Sequence, residues 1–215
     1  MVVSYIMKDT KSEILNAAEQ LFASRGPNAT SLRQVIGRAK VNLAAIHYHF
    51  GSKESLLQTV LSRRLGPLNA ERLALLDKYE QESGKRAVPL PRILEALVGP
   101  ALRLSRDPER GGAVFMRLLG RCVLEPDEKI QMMLNHQFHY VLERFTPALQ
   151  RALPKLPPVD FFWRIHFLVG SMAHTMADSE RLCAISGGLC DPGDTEGTIH
   201  RLVIFLNAGL RAKAD

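Results

Sequence analysis

The 215-residue sequence predicts an all-α protein: an N-terminal three-helix domain built around a helix-turn-helix, followed by a longer helical remainder. Three observations carry this. Apolar residues recur at helical spacing along most of the chain, no stretch alternates as a half-buried strand would, and three short periodic segments near the N-terminus are separated by caps and tight turns.

Thr10 and Glu13 form a capping-box pattern at the start of the first helix. Ile14, Ala17, Ala18, Leu21 and Phe22 then fall on one stripe until Gly26-Pro27 stops it. Ser31 with Gln34 repeats the capping logic, and Leu32, Val35, Ile36 and Ala39 give the second helix its buried face. Lys40-Val41-Asn42 is the turn, with Asn42 as N-cap of the third helix. Within the stretch NLAAIHYHFGSKESLL, Ile46 and Phe50 share a face and pack inward, which leaves Ala44, His47 and Tyr48 to point elsewhere. Small residues early in the helix permit close approach to a groove, while imidazole and phenol can bond base edges or phosphates. After Gly51, Ser52 caps a fourth helix whose free N–H groups, with Lys53, suit a phosphate.

Beyond this point the reading is helical throughout. Leu56, Leu57, Val60 and Leu61 begin a linking helix over 53–82, and Gly66-Pro67 is expected to kink or break it. Further helices are expected over 93–105, 114–124, 127–153, 159–186 and 195–212, separated by breaks rich in Pro, Gly and polar residues.

Charge is concentrated at one end. Through Arg64 there are nine basic residues (Lys8, Lys11, Arg25, Arg33, Arg38, Lys40, Lys53, Arg63, Arg64) against four acidic ones (Asp9, Glu13, Glu19, Glu54), so +5 of the net +6 lies there. A basic module on a near-neutral remainder fits a DNA reader joined to something else. No apolar stretch is long and uncharged enough for a signal peptide or a membrane span, so a cytoplasmic protein is expected. Cys122, Cys183 and Cys190 are odd in number and lack CxxC spacing, which argues for reduced thiols.

Residues 10–57 resemble the DNA-binding domain of the TetR family of bacterial repressors. The resemblance rests on ILNAAEQLFASRG, on TSLRQVIGRAKVN, and on the Tyr, Phe, Lys and Glu of YHFGSKESLL, all in register. It implies that the third helix reads an operator and that the lysine opening the fourth touches phosphate, roles that fall on Tyr48 and Lys53. Asn42, Leu43, Ala44 and His47, with His49 beside them, take the recognition-helix positions, and Ser31 and Arg33 open the second helix near the DNA backbone. Lys40 departs from the family, which usually has glycine in this turn. In the left-handed region a side chain there costs on the order of 1 kcal/mol, partly offset if its charge faces DNA.

The same resemblance implies a helix-turn-helix domain at 1–52 and a helical effector-binding and dimerisation domain at 53–215. Double-stranded operator DNA, a small apolar effector and a second copy of the chain are the expected partners, with no membrane and no cofactor. The last two long helices are apolar over more than one stripe, so each needs burial on two sides. In the family they pair as a four-helix bundle, which points to Phe161, Ile165, Val169, Ile199, Leu202 and Leu206. Flexible or aromatic Met116, Leu119, Met133, Phe162 and Met172 suit an adaptable cavity, and Arg121, His136 and His166 could orient a polar head. The linker RRLGPLNAERLALLD is similar to a subgroup with fatty-acid-responsive members. A fatty acid or acyl thioester is therefore the first effector class, and a drug or aromatic metabolite the second.

The rival class is a helical metal-dependent enzyme. His136, His139 and Glu143 stand at i, i+3 and i+7, a spacing that can present ligands from one helix face. No P-loop, GxSxG or HExxH occurs, so no catalytic residue and no metal ligand set is assigned.

Overall fold

A computed structural model describes residues 2–177, 179–191 and 193–213, with side chains for all of these except 2–9, 177, 179 and 180. The described residues form helices and no strand: α1 (Val2–Arg25), α2 (Leu32–Ala39), α3 (Leu43–Phe50), α4 (Lys53–Ser83), α5 (Leu90–Ser105), α6 (Gly112–Leu124), α7 (Glu128–Ala152), α8 (Pro158–Ala177), α9 (Ser179–Ile185) and α10 (Thr195–Arg211).

Two expectations are corrected. α1 begins at Val2, so Thr10 lies inside the helix and not at its N-cap position; the residues before it contain no Gly or Pro to prevent extension. α4 runs through Gly66-Pro67 without a break. The expected single helix over 159–186 appears as α8 and α9, and the junction at residue 178 lies outside the described residues.

The chain divides into two compact units, Met1–Gly66 with Val114–Gln137, and Pro67–Ala113 with Phe138–Asp215. In the first, the predicted stripe of α1 (Ile14, Ala17, Ala18, Leu21, Phe22) is buried along with Val35, Ile46, Phe50, Leu57 and Leu61. α1 packs on both α2 and α3. Glu19, almost fully buried on α1, accepts from Arg63 and Arg64 on α4, and Asn16 Oδ1 accepts from Arg63 at 2.8 Å.

The corner between α6 and α7 belongs to this unit as well. Phe115, Leu118 and Cys122 bury one face of α6, and Gln131 Nε2 donates to the carbonyls of Cys122 (3.1 Å) and Glu125 (2.7 Å), closing the corner on itself. Asn28 Nδ2 donates to Glu125 Oε1 at 2.9 Å, tying the corner to the loop after α1.

The second unit is built on α5, which packs against α10 and α8. Ile93, Leu94, Leu102, Val141, Phe145, Phe161, Leu168, Ile199, Leu202, Leu206 and Leu210 form its core. Gly112, at the start of α6, is required by packing: a Cβ there would stand 1.6 Å from the carbonyl oxygen of Leu104.

Candidate nucleic-acid interface

The helix-turn-helix is held by local bonds that its sequence dictates. Ser31 and Gln34 exchange the two capping-box bonds, backbone N of Ser31 to Gln34 Oε1 at 2.9 Å and backbone N of Gln34 to Ser31 Oγ at 3.3 Å. Lys40 ends α2 in the left-handed region at φ 55°, and is the one described non-glycine residue with positive φ. Asn42 Oδ1 then accepts from the backbone N of Ala45 at 2.9 Å and fixes the start of α3.

With both ends fixed, α3 divides into two faces. Ile46 and Phe50 are buried in the first unit, whereas Leu43, Ala44, His47 and Tyr48 are exposed, Tyr48 by 73%. His47 is turned by a 3.1 Å contact of its Nδ1 with the carbonyl of Gly51. The half-buried His49 stands edge-on to the Tyr48 ring at 5.1 Å, which limits where the phenol can swing. Ser31, Arg33, Lys40 and Asn42 are all exposed. Arg38, exposed on α2 and bonded to Gln20, adds a cation that the resemblance did not single out.

Lys53 differs from a free phosphate clamp. Its ammonium donates to the carbonyl of Pro27 at 3.1 Å, while Ser52 Oγ caps α4 by accepting from the backbone N of Ser55 at 3.1 Å. One of the three ammonium donors is thereby used. Lys53 also lines a cavity of about 340 Å³ in this unit, with Phe22, Leu57, Ile130 and Met133 at its apolar side and Glu54 and Lys129 at its rim.

The residues grouped above as an effector pocket fall into both units. Met116, Leu119, Arg121, Met133 and His136 lie in the first, and Phe162, His166 and Met172 in the second. Arg121 donates from Nε to the carbonyl of Ala23 (2.8 Å) and from Nη2 to that of Ser24 (3.0 Å), satisfying the end of α1. Met116 is buried and Leu119 half-buried, His136, Phe162 and His166 are exposed, and Met172 is half-buried against the core of the second unit.

The expected dimer residues divide in a similar way. Phe161, Ile199, Leu202 and Leu206 face the core of their own unit, Ile165 is half-buried, and Val169 is exposed. Besides Val169, the uncovered apolar residues on these two helices include Val159, Phe162, Trp163, Phe167, Ile204 and Phe205, with the Trp163 and Phe167 rings stacked at 5.9 Å. Both faces of α8 and α10 are apolar, so periodicity identifies the stripes without saying which one turns inward.

His139 Nε2 stands 3.2 Å from Glu143 Oε1 as an exposed pair. Among the described residues no group of three or more His, Cys, Asp or Glu is placed to hold a metal ion. Among those residues, too, no helix is long and apolar enough to cross a membrane. Arg72 has no role in the sequence pattern above, although it occupies the same α4 stripe as Leu65, Leu68 and Leu76; it is 3% exposed.

Comparisons with known proteins agree with this geometry. Residues 95–209 match the family described as tetracyclin repressor-like, C-terminal domain, and residues 14–60 match bacterial regulatory proteins, tetR family. An HTH-type transcriptional repressor of Mycobacterium tuberculosis is 46% identical over 54 residues, which is 25% of this chain and 29% of that protein. The repressor KstR2 of Rhodococcus jostii is 37% identical over 136 residues, 63% of this chain and 58% of the relative. The chain thus spans under two thirds of the length of these curated relatives. Among solved structures, the fatty acid degradation regulator FadR from Bacillus halodurans superposes with a TM-score of 0.63 at 16% identity, over 95% of this chain and 97% of that one. A regulator from Streptomyces coelicolor gives 0.61 at 18%, over 95% of both.

Proposed function

The chain belongs to the TetR family of bacterial transcriptional regulators, and from that premise we propose that it is a cytoplasmic homodimeric repressor released from a palindromic operator by a small effector. One observation carries the reading. α3 anchors itself through Ile46 and Phe50 and presents Leu43, Ala44, His47 and Tyr48 outward, with the cations Arg33, Arg38 and Lys40 exposed on the preceding helix and turn. Small residues and hydrogen-bonding rings on the outer face suit a major groove, and the flanking charges suit phosphates.

A single recognition helix covers too few base pairs for specific binding, so two copies must read two half-sites. The exposed Phe162, Val169 and Phe205 supply an apolar surface for that pairing, because their helices already fill the core with the opposite face. The functional division we assign is DNA reading in 1–52 and effector binding and dimerisation in 53–215, with 53–82 linking them. An acyl chain is the first effector class and an aromatic or drug-like compound the second, both supported by the flexible, half-buried Met172 and Met176 of α8.

Footprinting on the DNA flanking its own gene tests the reading. A protected site with two-fold symmetry, lost on adding acyl or aromatic compounds, is the expected result; no protected site would reject it.

A further inference from the structure

We propose that Arg72 is the anchor of an anionic ligand, and that it holds the carboxylate of a small amphipathic acid whose oxygen takes the place of the Met172 sulfur. The proposal deepens the effector reading and rests on it for its regulatory meaning. Arg72 lies on α4 within the second unit, 3% exposed. Its Nε donates to the carbonyl of Leu97 at 2.8 Å and its Nη1 to Asn69 Oδ1 at 3.2 Å, while Nη2 has only the thioether of Met172 at 3.9 Å. Among the described residues no carboxylate reaches it at ion-pair distance; Glu71, its chain neighbour, acts only through space.

A guanidinium brings five N–H donors and a full positive charge. Burial lowers its pKa to about 10, so it stays charged at neutral pH. Enclosing such a charge without a counter-charge is unfavourable, and an apolar side chain would fill the space with less penalty. The buried carboxylate of the first unit is treated differently, since Glu19 is met by both Arg63 and Arg64. Part of the arrangement serves the backbone: Pro100 interrupts the hydrogen-bond ladder of α5, and the Leu97 carbonyl next to that gap takes Nε. That use accounts for one donor and none of the charge.

The remaining edge of the guanidinium, Nη1 and Nη2, has the geometry that a carboxylate accepts with both oxygens. A thioether is a weak acceptor on a flexible stem, and Met172 is only half-buried at the edge of the core, so its sulfur can rotate away from the guanidinium. An apolar tail would then lie along Ile165, Met172 and Met176, all partly buried against the unit's core. A free acid satisfies the site; a thioester of the same acid, neutral at that carbon, does not.

The test uses the full chain with octanoate and phenylacetate as probes, and 1-octanol and 2-phenylethanol as neutral controls, read by calorimetry and thermal shift. Wild type should bind the acids at least tenfold more tightly than the alcohols, and Arg72→Gln should lose that preference. Because Arg72→Gln can also fail to fold, Met172→Glu is the second variant. It supplies an internal carboxylate, so it should raise the melting temperature and abolish octanoate binding. Equal binding of acids and alcohols by wild type, or wild-type octanoate binding by Met172→Glu, overturns the proposal. The operator complex separates the two readings. Octanoate that binds through Arg72 without releasing DNA supports the anion site and removes the sensor function. Release by 2-phenylethanol as effective as release by phenylacetate keeps the sensor and removes the anion site.

Discussion

Glu19 and Arg64 meet side-on, with Arg64 Nε 2.9 Å from Oε1 and Nη2 3.0 Å from Oε2, and Glu19 is only 3% exposed. Arg63 shares the same carboxylate, so one acid on α1 holds two consecutive cations of α4. Glu19→Ala should therefore destabilise the first unit by roughly 3 kcal/mol, at the lower end for a broken buried pair because both guanidiniums keep some access to water. Chemical denaturation reads this directly. A loss under 1 kcal/mol would mean the pair is not what fastens α1 to α4.

On α10, neighbouring faces should respond in opposite ways. Leu202 is 8% exposed in the core, whereas Phe205 is 65% exposed. Leu202→Glu should cost on the order of 3–5 kcal/mol and lose the fold. Phe205→Glu should leave the protomer's stability within about 0.5 kcal/mol and yet separate the dimer, since it puts charge into the apolar face proposed for pairing. Circular dichroism and sedimentation together decide the matter; a folded, dimeric Phe205→Glu protein would move the interface elsewhere.

The helix-turn-helix was legible in the sequence because short-range chemistry controls it. Ser31, Gln34 and Asn42 cap through atoms three residues away, and the Lys40 turn follows from the helices on either side. The rest depended on contacts far apart in the chain. Arg121 reads as a polar group on an apolar helix, and only folding reveals that it meets the carbonyls of Ala23 and Ser24, about a hundred residues earlier. α8 and α10 carry apolar residues all round, so the choice between Phe161 and Phe162, or Leu202 and Phe205, as the inward group was undetermined. Arg72 was detectable in principle, as the one charge on the stripe of Leu65, Leu68 and Leu76.

Tyr48→Ala and Lys53→Ala should both weaken operator binding, but with different effects on stability. Tyr48 is largely exposed and its loss should be neutral to folding, whereas Lys53 gives up its bond to the Pro27 carbonyl, worth about 1 kcal/mol in this half-buried setting. Each lost phosphate contact should reduce the slope of log affinity against log salt by about one unit. His47→Ala should instead relax preference at one or two base pairs, by roughly 1–3 kcal/mol at the cognate site. Unchanged operator affinity in the first two variants would show that α3 does not dock in this manner.

The three thiols should differ in reactivity. Burial pushes the Cys122 thiol up to about 12, with Glu125 adding to the effect, so at pH 8 only about one molecule in ten thousand carries its thiolate. Cys190 is exposed and Cys183 half-buried. Alkylation of the native protein should modify Cys190 first and spare Cys122 until denaturant is added, as mass spectrometry of timed samples would reveal. Early labelling of Cys122 would mean that the α6 segment of the first unit opens readily.

Lys40 offers the sharpest separation of fold from function, because its backbone and its side chain are predicted to pull in opposite directions. At φ 55° the Cβ is unfavourable, and Lys40→Gly should relieve on the order of 1 kcal/mol of that strain, reduced somewhat by the greater freedom of glycine in the unfolded chain. The same change removes an exposed cation at the turn leading into α3. If that cation meets phosphate, operator affinity should fall and the salt slope should shrink by about one unit. Lys40→Ala supplies the control: it removes the charge while keeping the Cβ, and so should lose affinity without gaining stability. A Lys40→Gly protein that is more stable and binds operator at least as tightly as wild type at low salt would show that the departure from glycine at this turn serves no electrostatic purpose.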